Sequence, residues 1–447
     1  MNATAPTLTD FLSREECDAA GARAYETVRE LFPICRSITG AGVRQTLAIV
    51  GRRIPLELHE IPSGQPVFDW EVPPEWNITD AYVKSGDGRR VVDFKESNLH
   101  IVSYSEPIRA RMALAELRPH LHSLPDAPDR IPYRTSYYRR NWGFCLRHRD
   151  LLALPEGEYE VCIDSELRPG SLTYAECFLP GSTSEEVIVF THVCHPSLAN
   201  DNASGIAVSC ELAAALARSP RRYGYRFVFS PGTIGAITWL AVNEASLGRI
   251  AHGLVVGLLG DPGPLTYKRS ARGDAAVDRA AVHVVKTLDP RSRIEDFSPY
   301  GYDERQFCSP GFNLPVGRLT RSANGAYPEY HTSGDDLNLV QPQYLAESLC
   351  AAARIIQALD TNERYVNTQP KCEPQLGKRG LYRVTGGQAP SGREHALLWI
   401  LNQSDGRRSL LDIAERAGMP FTVIRSAADE LLQSGLLRAA ETRSEPL

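Results

Sequence analysis

The order of apolar and polar positions divides the chain into stretches of different texture. Residues 22–32 and 43–53 read as helices, joined by Phe32-Pro33-Ile34-Cys35-Arg36-Ser37-Ile38-Thr39-Gly40. From about 66 to 150 the pattern changes. Trp70, Trp76, Trp142, the pair Tyr137-Tyr138 and many prolines predict a compact β-rich module with long turns. Within it, Asp87-Gly88 lies between Tyr82-Val83-Lys84 and Val91-Val92-Asp93-Phe94, which predicts a hairpin. From about 158 to 360, strands alternate with helices. Residues 159–163, 187–190, 226–230 and 253–259 read as strands, and 204–217, 235–246, 274–286 and 341–359 as helices. That alternation predicts an α/β domain whose mostly parallel sheet is covered by helices. Residues 362–394 read as a connector. Three short helices follow, at 395–403, after Ser409 and at 420–434, and Ser409 with Asp412 is close to a capping box.

A chain of 447 residues is too long for one ordinary core, so two or three domains are expected. A net charge of −5 argues against general affinity for nucleic acid and against a basic membrane-binding surface. The N-terminus has neither a basic start nor an apolar core, and no run of apolar residues is long enough to span a membrane. None of the ten cysteines is paired at CxxC spacing, so reduced thiols and a cytoplasmic location are expected. The Asn-x-Ser/Thr triplets at Asn2, Asn77 and Asn202 then carry no meaning for glycosylation.

The segment with the most chemistry is Thr191-His192-Val193-Cys194-His195-Pro196, followed by Asn200-Asp201-Asn202-Ala203-Ser204-Gly205. An apolar strand leads in and a small-residue helix leads out. An imidazole and a carboxylate nine residues apart, where a strand ends and a helix begins, suit a divalent metal. Such loops gather at the carboxyl edge of an α/β sheet, where ligands bind. A hydrolytic zinc needs a few nitrogen or oxygen ligands and one open position. The candidates are His192, His195, Asp201, Glu304 and His331, the last in Tyr330-His331-Thr332-Ser333-Gly334-Asp335-Asp336. Blander readings stand beside these. Ser204-Gly205 suits a helix start, Cys194 a small buried residue, and His195-Pro196 a turn.

These segments are similar to those of the zinc aminopeptidase family that includes bacterial leucyl aminopeptidases and the glutamate carboxypeptidase relatives. The chain most resembles a bacterial aminopeptidase-like branch with a small inserted domain and a C-terminal winged helix. The resemblance rests on 32–40, Phe68-Asp69-Trp70, Ile131-Pro132-Tyr133, Ser136-Tyr137-Tyr138, Trp142-Gly143-Phe144-Cys145, 191–205, Tyr302-Asp303-Glu304-Arg305-Gln306-Phe307 and 330–336. It implies a three-layer zinc-peptidase fold over 1–65 and 151–365, a β-rich insertion over 66–150, and a winged helix over 375–440. It makes His192 a ligand of one metal, His331 a ligand of a second, and Asp201 the bridge between them.

The chain departs from that pattern. The strand 226–230 leads into Pro231-Gly232-Thr233-Ile234-Gly235, where the branch carries Pro-Glu-Thr-Ile-Gly, so Gly232 stands where the resemblance places the general base. A later ligand position falls near Gly257. The retained set His192, Asp201 and His331 implies one zinc per chain. Glu304 stands in for the lost base by its position in sequence, or is a salt-bridged surface acid. Asp335 either orients a histidine ligand or caps the next helix. Asp303 is expected beside the ligands or at the substrate, while Arg36 and Tyr137, with Tyr138 and Trp142, either meet substrate under the inserted domain or pack at the domain interface. The last helix has Arg425 but also Asp429 and Glu430, which suits protein contacts, homo-oligomer formation or closure of the site better than DNA binding. The expected activity is zinc-dependent hydrolysis of a small peptide or aminoacyl-amide, with no nucleic-acid or membrane partner. The alternative is a family member that binds or processes a peptide-like biosynthetic intermediate without ordinary peptidase activity.

Overall fold

The computed structural model describes residues 8, 9, 11, 13–381 and 392–440. The extreme N-terminus, and 382–391 of the expected connector, lie outside the described residues. An eight-stranded sheet forms the centre, in the order Glu57–Pro62, Ser171–Leu179, Gly224–Ser230, Glu186–His192, Ile250–Val256, Val316–Thr320, Thr266–Lys268 and Arg293–Glu295. Its four middle strands run parallel, and antiparallel pairings flank them on both sides. This is the mixed, mostly parallel α/β sheet that the alternation of elements predicts.

The apolar run before His192 is continuous because both faces of this sheet are covered. Val187 and Val189 face a core shared with the helices Arg14–Leu31, Gly205–Leu216, Ala276–Leu288 and Pro342–Asp360. Ile188 and Phe190 face a second core, shared with the helix Ile234–Asn243 and with the inserted module. The strand Glu186–His192 pairs with Gly224–Ser230 on one side and with Ile250–Val256 on the other. The chain thus changes direction across the sheet at the end of this strand, and a crevice opens there. His192 is its last residue.

Inside the β-rich module, Glu75–Lys84 and Arg90–Asp93 form the hairpin expected around Asp87-Gly88, and Gly88 has the positive φ of 85° that such a turn requires. Residues 159–163 do form a strand, as part of Glu158–Arg168. That strand joins the smaller sheet with Glu75–Lys84 and Ile108–Ala113 instead of the large one. Its register there is set by apolar residues such as Tyr159, Val161 and Ile163, which pack into the module's core. The last part of the chain holds the helices Gly392–Gln403, Leu410–Ala417 and Phe421–Gln433, with Ser409 and Asp412 forming the capping box. Arg364–Asn367, read from sequence as connector, is the central strand of a three-stranded sheet beside these helices. Arg425 is bound by Asp429 and by the Tyr365 hydroxyl. Among the described residues, no helix is long and apolar enough to cross a membrane.

The helices Arg14–Leu31 and Pro342–Asp360 approach closely through Gly21. A Cβ there would stand 2.3 Å from the Pro342 carbonyl oxygen and 2.7 Å from Ala346 Cβ. Gly21→Ala is therefore expected to force the pair apart and destabilise the protein by about 1–3 kcal/mol, as overpacking does. Denaturant unfolding measures this, and an unchanged midpoint would contradict the contact.

Candidate metal centre

The loop that leaves His192 runs through Ala199–Ser204, six buried residues of irregular backbone containing a cis peptide between Asp201 and Asn202. Buried backbone needs partners, and the alternate polar side chains supply them. Asn200 Oδ1 accepts from Gly260 N (2.8 Å), Asn202 Oδ1 from Leu258 N (3.2 Å), and Ser204 Oγ from Leu259 N (2.9 Å). Ser204 is thus a strut between loops, and its side chain does not cap the helix that follows. Asp335 accepts from Asn200 N (2.5 Å) and Asp201 N (3.0 Å). Asp335 thus supports the site from behind, as the first reading of it has it, but through the backbone of Asn200 and Asp201 where that reading named a histidine. Burial pushes its carboxyl up to about 8, with the Asn200 N–H pulling the other way.

Asp201 is left fully buried, its carboxylate turned to the imidazoles of His192 and His331. Its Oδ1 lies 2.7 Å from His192 Nε2 and its Oδ2 3.0 Å from His331 Nε2. His195 Nε2 is 3.9 Å from Oδ2. The Tyr302 hydroxyl donates to both carboxylate oxygens at 3.0 Å, and its ring stacks on His192 at 4.1 Å. Among the described residues, Asp201 has no Lys or Arg in an ion pair; its ionisable partners there are the imidazoles of His192, His195 and His331. Burial alone would raise the Asp201 carboxyl, but His195, His192 and His331 hold it well below the usual carboxylate range. Burial in turn pushes His195 down to about 3, and so keeps it a neutral imidazole. An ionised buried carboxylate without a fixed cationic side chain, ringed by imidazole nitrogens, suits a zinc-type metal. The potential ligand atoms of His192, His195 and Asp201 lie within 4.8 Å of one another. His331 meets the other carboxylate oxygen from outside that group of three.

The remaining expected residues fall in different places. Glu304 is fully buried and turned into an ion pair with Lys268 Nζ at 2.9 Å, so the substitute base suggested by its position in sequence is tied up elsewhere. Its neighbour Asp303 has Oδ1 on Thr233 N at 2.7 Å, while its buried Oδ2 has no hydrogen-bond partner. Burial pushes Asp303 up to about 6, against the pull of His192. Arg36 is buried away from the cavity. Its Nε donates to the His195 carbonyl (2.8 Å) and its Nη1 to the Leu31 carbonyl (2.6 Å), which makes it a holder of the His195 loop in place of a substrate contact. Burial lowers its pKa to about 10. Trp142 stacks on His120 at 3.6 Å, within the inserted module. Tyr137 does line the crevice, with its hydroxyl 2.6 Å from that of Tyr133.

The crevice is a cavity of about 580 Å³, walled by His195, Tyr302 and His331 on the α/β side and by Trp70, Tyr137 and Tyr138 from the insertion. The insertion is laced to the His331 loop: Tyr133 N donates to the His331 carbonyl (2.7 Å), Ser333 N to the Ile131 carbonyl (2.8 Å), and Arg130 pairs with Glu329 (2.8 Å). His331 itself has a positive φ of 53°, an uncommon conformation that these bridges hold in place. Sequence reasoning left Tyr302 out of the site, although it adjoins Asp303-Glu304 in one of the matching segments. A lone tyrosine there carries no spacing signal for contact with Asp201, 101 residues away.

The fold and this cluster define an aminopeptidase-like α/β protein with a C-terminal winged helix. Residues 25–362 match the family model described as "Domain of unknown function (DUF4910)", and 363–439 match a winged helix-turn-helix. The chain belongs to the DUF4910 family. It is 50% identical over 419 residues to a Clostridium acetobutylicum protein, provisionally named a polysaccharide biosynthesis protein with aminopeptidase-like domain, covering 94% of this chain and 96% of that one. A crystal structure from Clostridium acetobutylicum, provisionally named a peptidase, superposes with a TM-score of 0.90 at 48% identity, covering 95% of this chain and 98% of that one. A zinc aminopeptidase from Bacillus subtilis shares the fold, with a TM-score of 0.57 at 12% identity, covering 76% of this chain and 95% of that one.

Zinc affinity measured by competition with a chromophoric chelator tests the cluster. His192→Ala, His195→Ala and Asp201→Asn should each weaken zinc about 100-fold or more, since each removes a ligand from a small site. His331→Ala should weaken it less. Equal affinity in wild type and Asp201→Asn would rule the cluster out.

Proposed function

We propose that this chain is a zinc-dependent amide hydrolase of aminopeptidase type, acting on a small peptide or aminoacyl-amide with one zinc per chain. The observation that carries this reading is the buried Asp201 carboxylate, ringed by imidazoles of which two, His195 and His331, line a cavity. His192, His195 and Asp201 would hold the metal, and His331 would brace the second carboxylate oxygen. When bound, zinc supplies Lewis-acid chemistry toward a water and an amide carbonyl. The cavity walls position the amide. Burial raises the Tyr302 phenol well above its usual range. It therefore stays protonated beside the cluster, a donor for developing oxyanion charge.

Proton transfer falls to Asp303 instead of Glu304. Asp303 is fixed by the Thr233 N–H at one oxygen and free at the other. Gly232, one residue before Thr233, stands where the resemblance to zinc aminopeptidases places a glutamate. A Cβ at 232 would meet Cys194 Sγ at 3.5 Å and His192 Cβ at 3.7 Å, which is ordinary contact, so the position admits a side chain beside the cluster. Two features favour a second reading, in which the old site serves a peptide-like intermediate of polysaccharide biosynthesis. One is the printed name of the 50%-identical relative. The other is the glycine at position 232.

The zinc-loaded protein should hydrolyse aminoacyl-p-nitroanilides, and a chelator should abolish the activity. Absence of both metal and turnover would overturn the first reading. Asp303→Asn should lower kcat by about 100- to 10,000-fold, the usual worth of general acid–base assistance, with zinc content unchanged. If the wild type is inactive and Gly232→Glu creates peptidase activity, the second reading is favoured.

A further inference from the structure

The cavity wall carries a cation that the hydrolytic scheme leaves unused. Arg305 and Gln306 line the cavity that holds His195, Tyr302 and His331. Among the described residues, Arg305 takes part in no ion pair, and its buried Nε has no acceptor. The acids beside it in sequence do not satisfy it. Glu304 is spent on Lys268 at 2.9 Å. Asp303 turns Oδ1 to Thr233 N, and its other oxygen is without a hydrogen-bond partner. A part-buried guanidinium with no partner is costly. Its planar fork matches a carboxylate or a phosphate. Two aromatic side chains on the same wall, Trp70 and Tyr138, meet edge to face at 5.1 Å and stay 40% and 56% exposed. They leave apolar surface for the body of a ligand whose charged group reaches Arg305.

We propose that the cavity takes an amide substrate bearing an anionic group, carboxylate or phosphate, that Arg305 binds with Gln306 beside it. This rests on the amide-hydrolase reading for its reaction, but not for its binding. The test compares leucyl-p-nitroanilide with two acidic analogues, leucyl-4-aminobenzoate and leucyl-4-aminophenyl phosphate, on the full zinc-loaded chain. The wild type should favour at least one acidic analogue by about 10-fold or more in kcat/KM, as a charge-assisted bidentate contact implies. The favoured analogue identifies the anion. Arg305→Met should erase the preference, while Arg305→Lys should keep part of it. Equal kcat/KM for the neutral and acidic compounds, or a preference that survives Arg305→Met, would overturn the proposal.

If none of the three compounds turns over, the hydrolase reading fails by itself, and calorimetric binding of the same compounds decides the subsite. Tighter binding of an acidic analogue by wild type than by Arg305→Met supports it. Equal binding overturns it.

Discussion

The arrangement of this protein turns on one carboxylate. Asp201 is fully buried, and no lysine or arginine pairs with it among the described residues. A charge in that position is tolerated only if its surroundings are built for it. Much of the molecule can be read as that construction. The parallel strands bring the loops after residues 192, 256 and 320 to one edge of the sheet. Asn200, Asn202 and Ser204 bind the backbone of 258–260, and Asp335 binds the backbone of 200 and 201. With the side chains of Asn200, Asn202 and Ser204 so occupied, the Asp201 carboxylate is the one directed at the imidazoles.

The inserted module does more than cover the crevice. Its strand-like segment at 131–133 hydrogen-bonds along 331–333, so the position of His331 depends on a part of the chain two hundred residues away. The module also supplies the aromatic wall. The shape of the cavity and the geometry of one histidine are therefore set by the same contact between the β-rich module and the His331 loop. A change in the insertion can alter both while leaving the sheet intact.

The sheet strands flanked by turns, the covering helices and the hairpin at Asp87-Gly88 were legible in the sequence because each is a local pattern. So was the His192–Gly205 segment, whose spacing places donors at a strand end. The short strands Thr266–Lys268 and Arg293–Glu295 carry too few residues to show a period. Arg364–Asn367 is a strand only because the winged-helix elements on either side pair with it. The site shows the same division. Glu304 and Asp303 are neighbours in sequence, and nothing local tells which one is tied up in an ion pair. Lys268, 36 residues earlier, decides it by pairing with Glu304. Tyr302 reaches Asp201 across 101 residues, a contact that tertiary packing alone creates. Arg36 reads in the sequence as either a substrate contact or interface packing, and acts as a clamp on the His195 carbonyl.

The central claim is that Asp201 and the imidazoles around it form a zinc site on this fold. Anomalous diffraction from zinc-soaked crystals, recorded on both sides of the zinc absorption edge, tests it most directly. The account predicts one strong peak with ligand bonds of about 2.0–2.2 Å to His192, His195 and Asp201. A peak elsewhere, or no peak with those side chains unchanged, would contradict it.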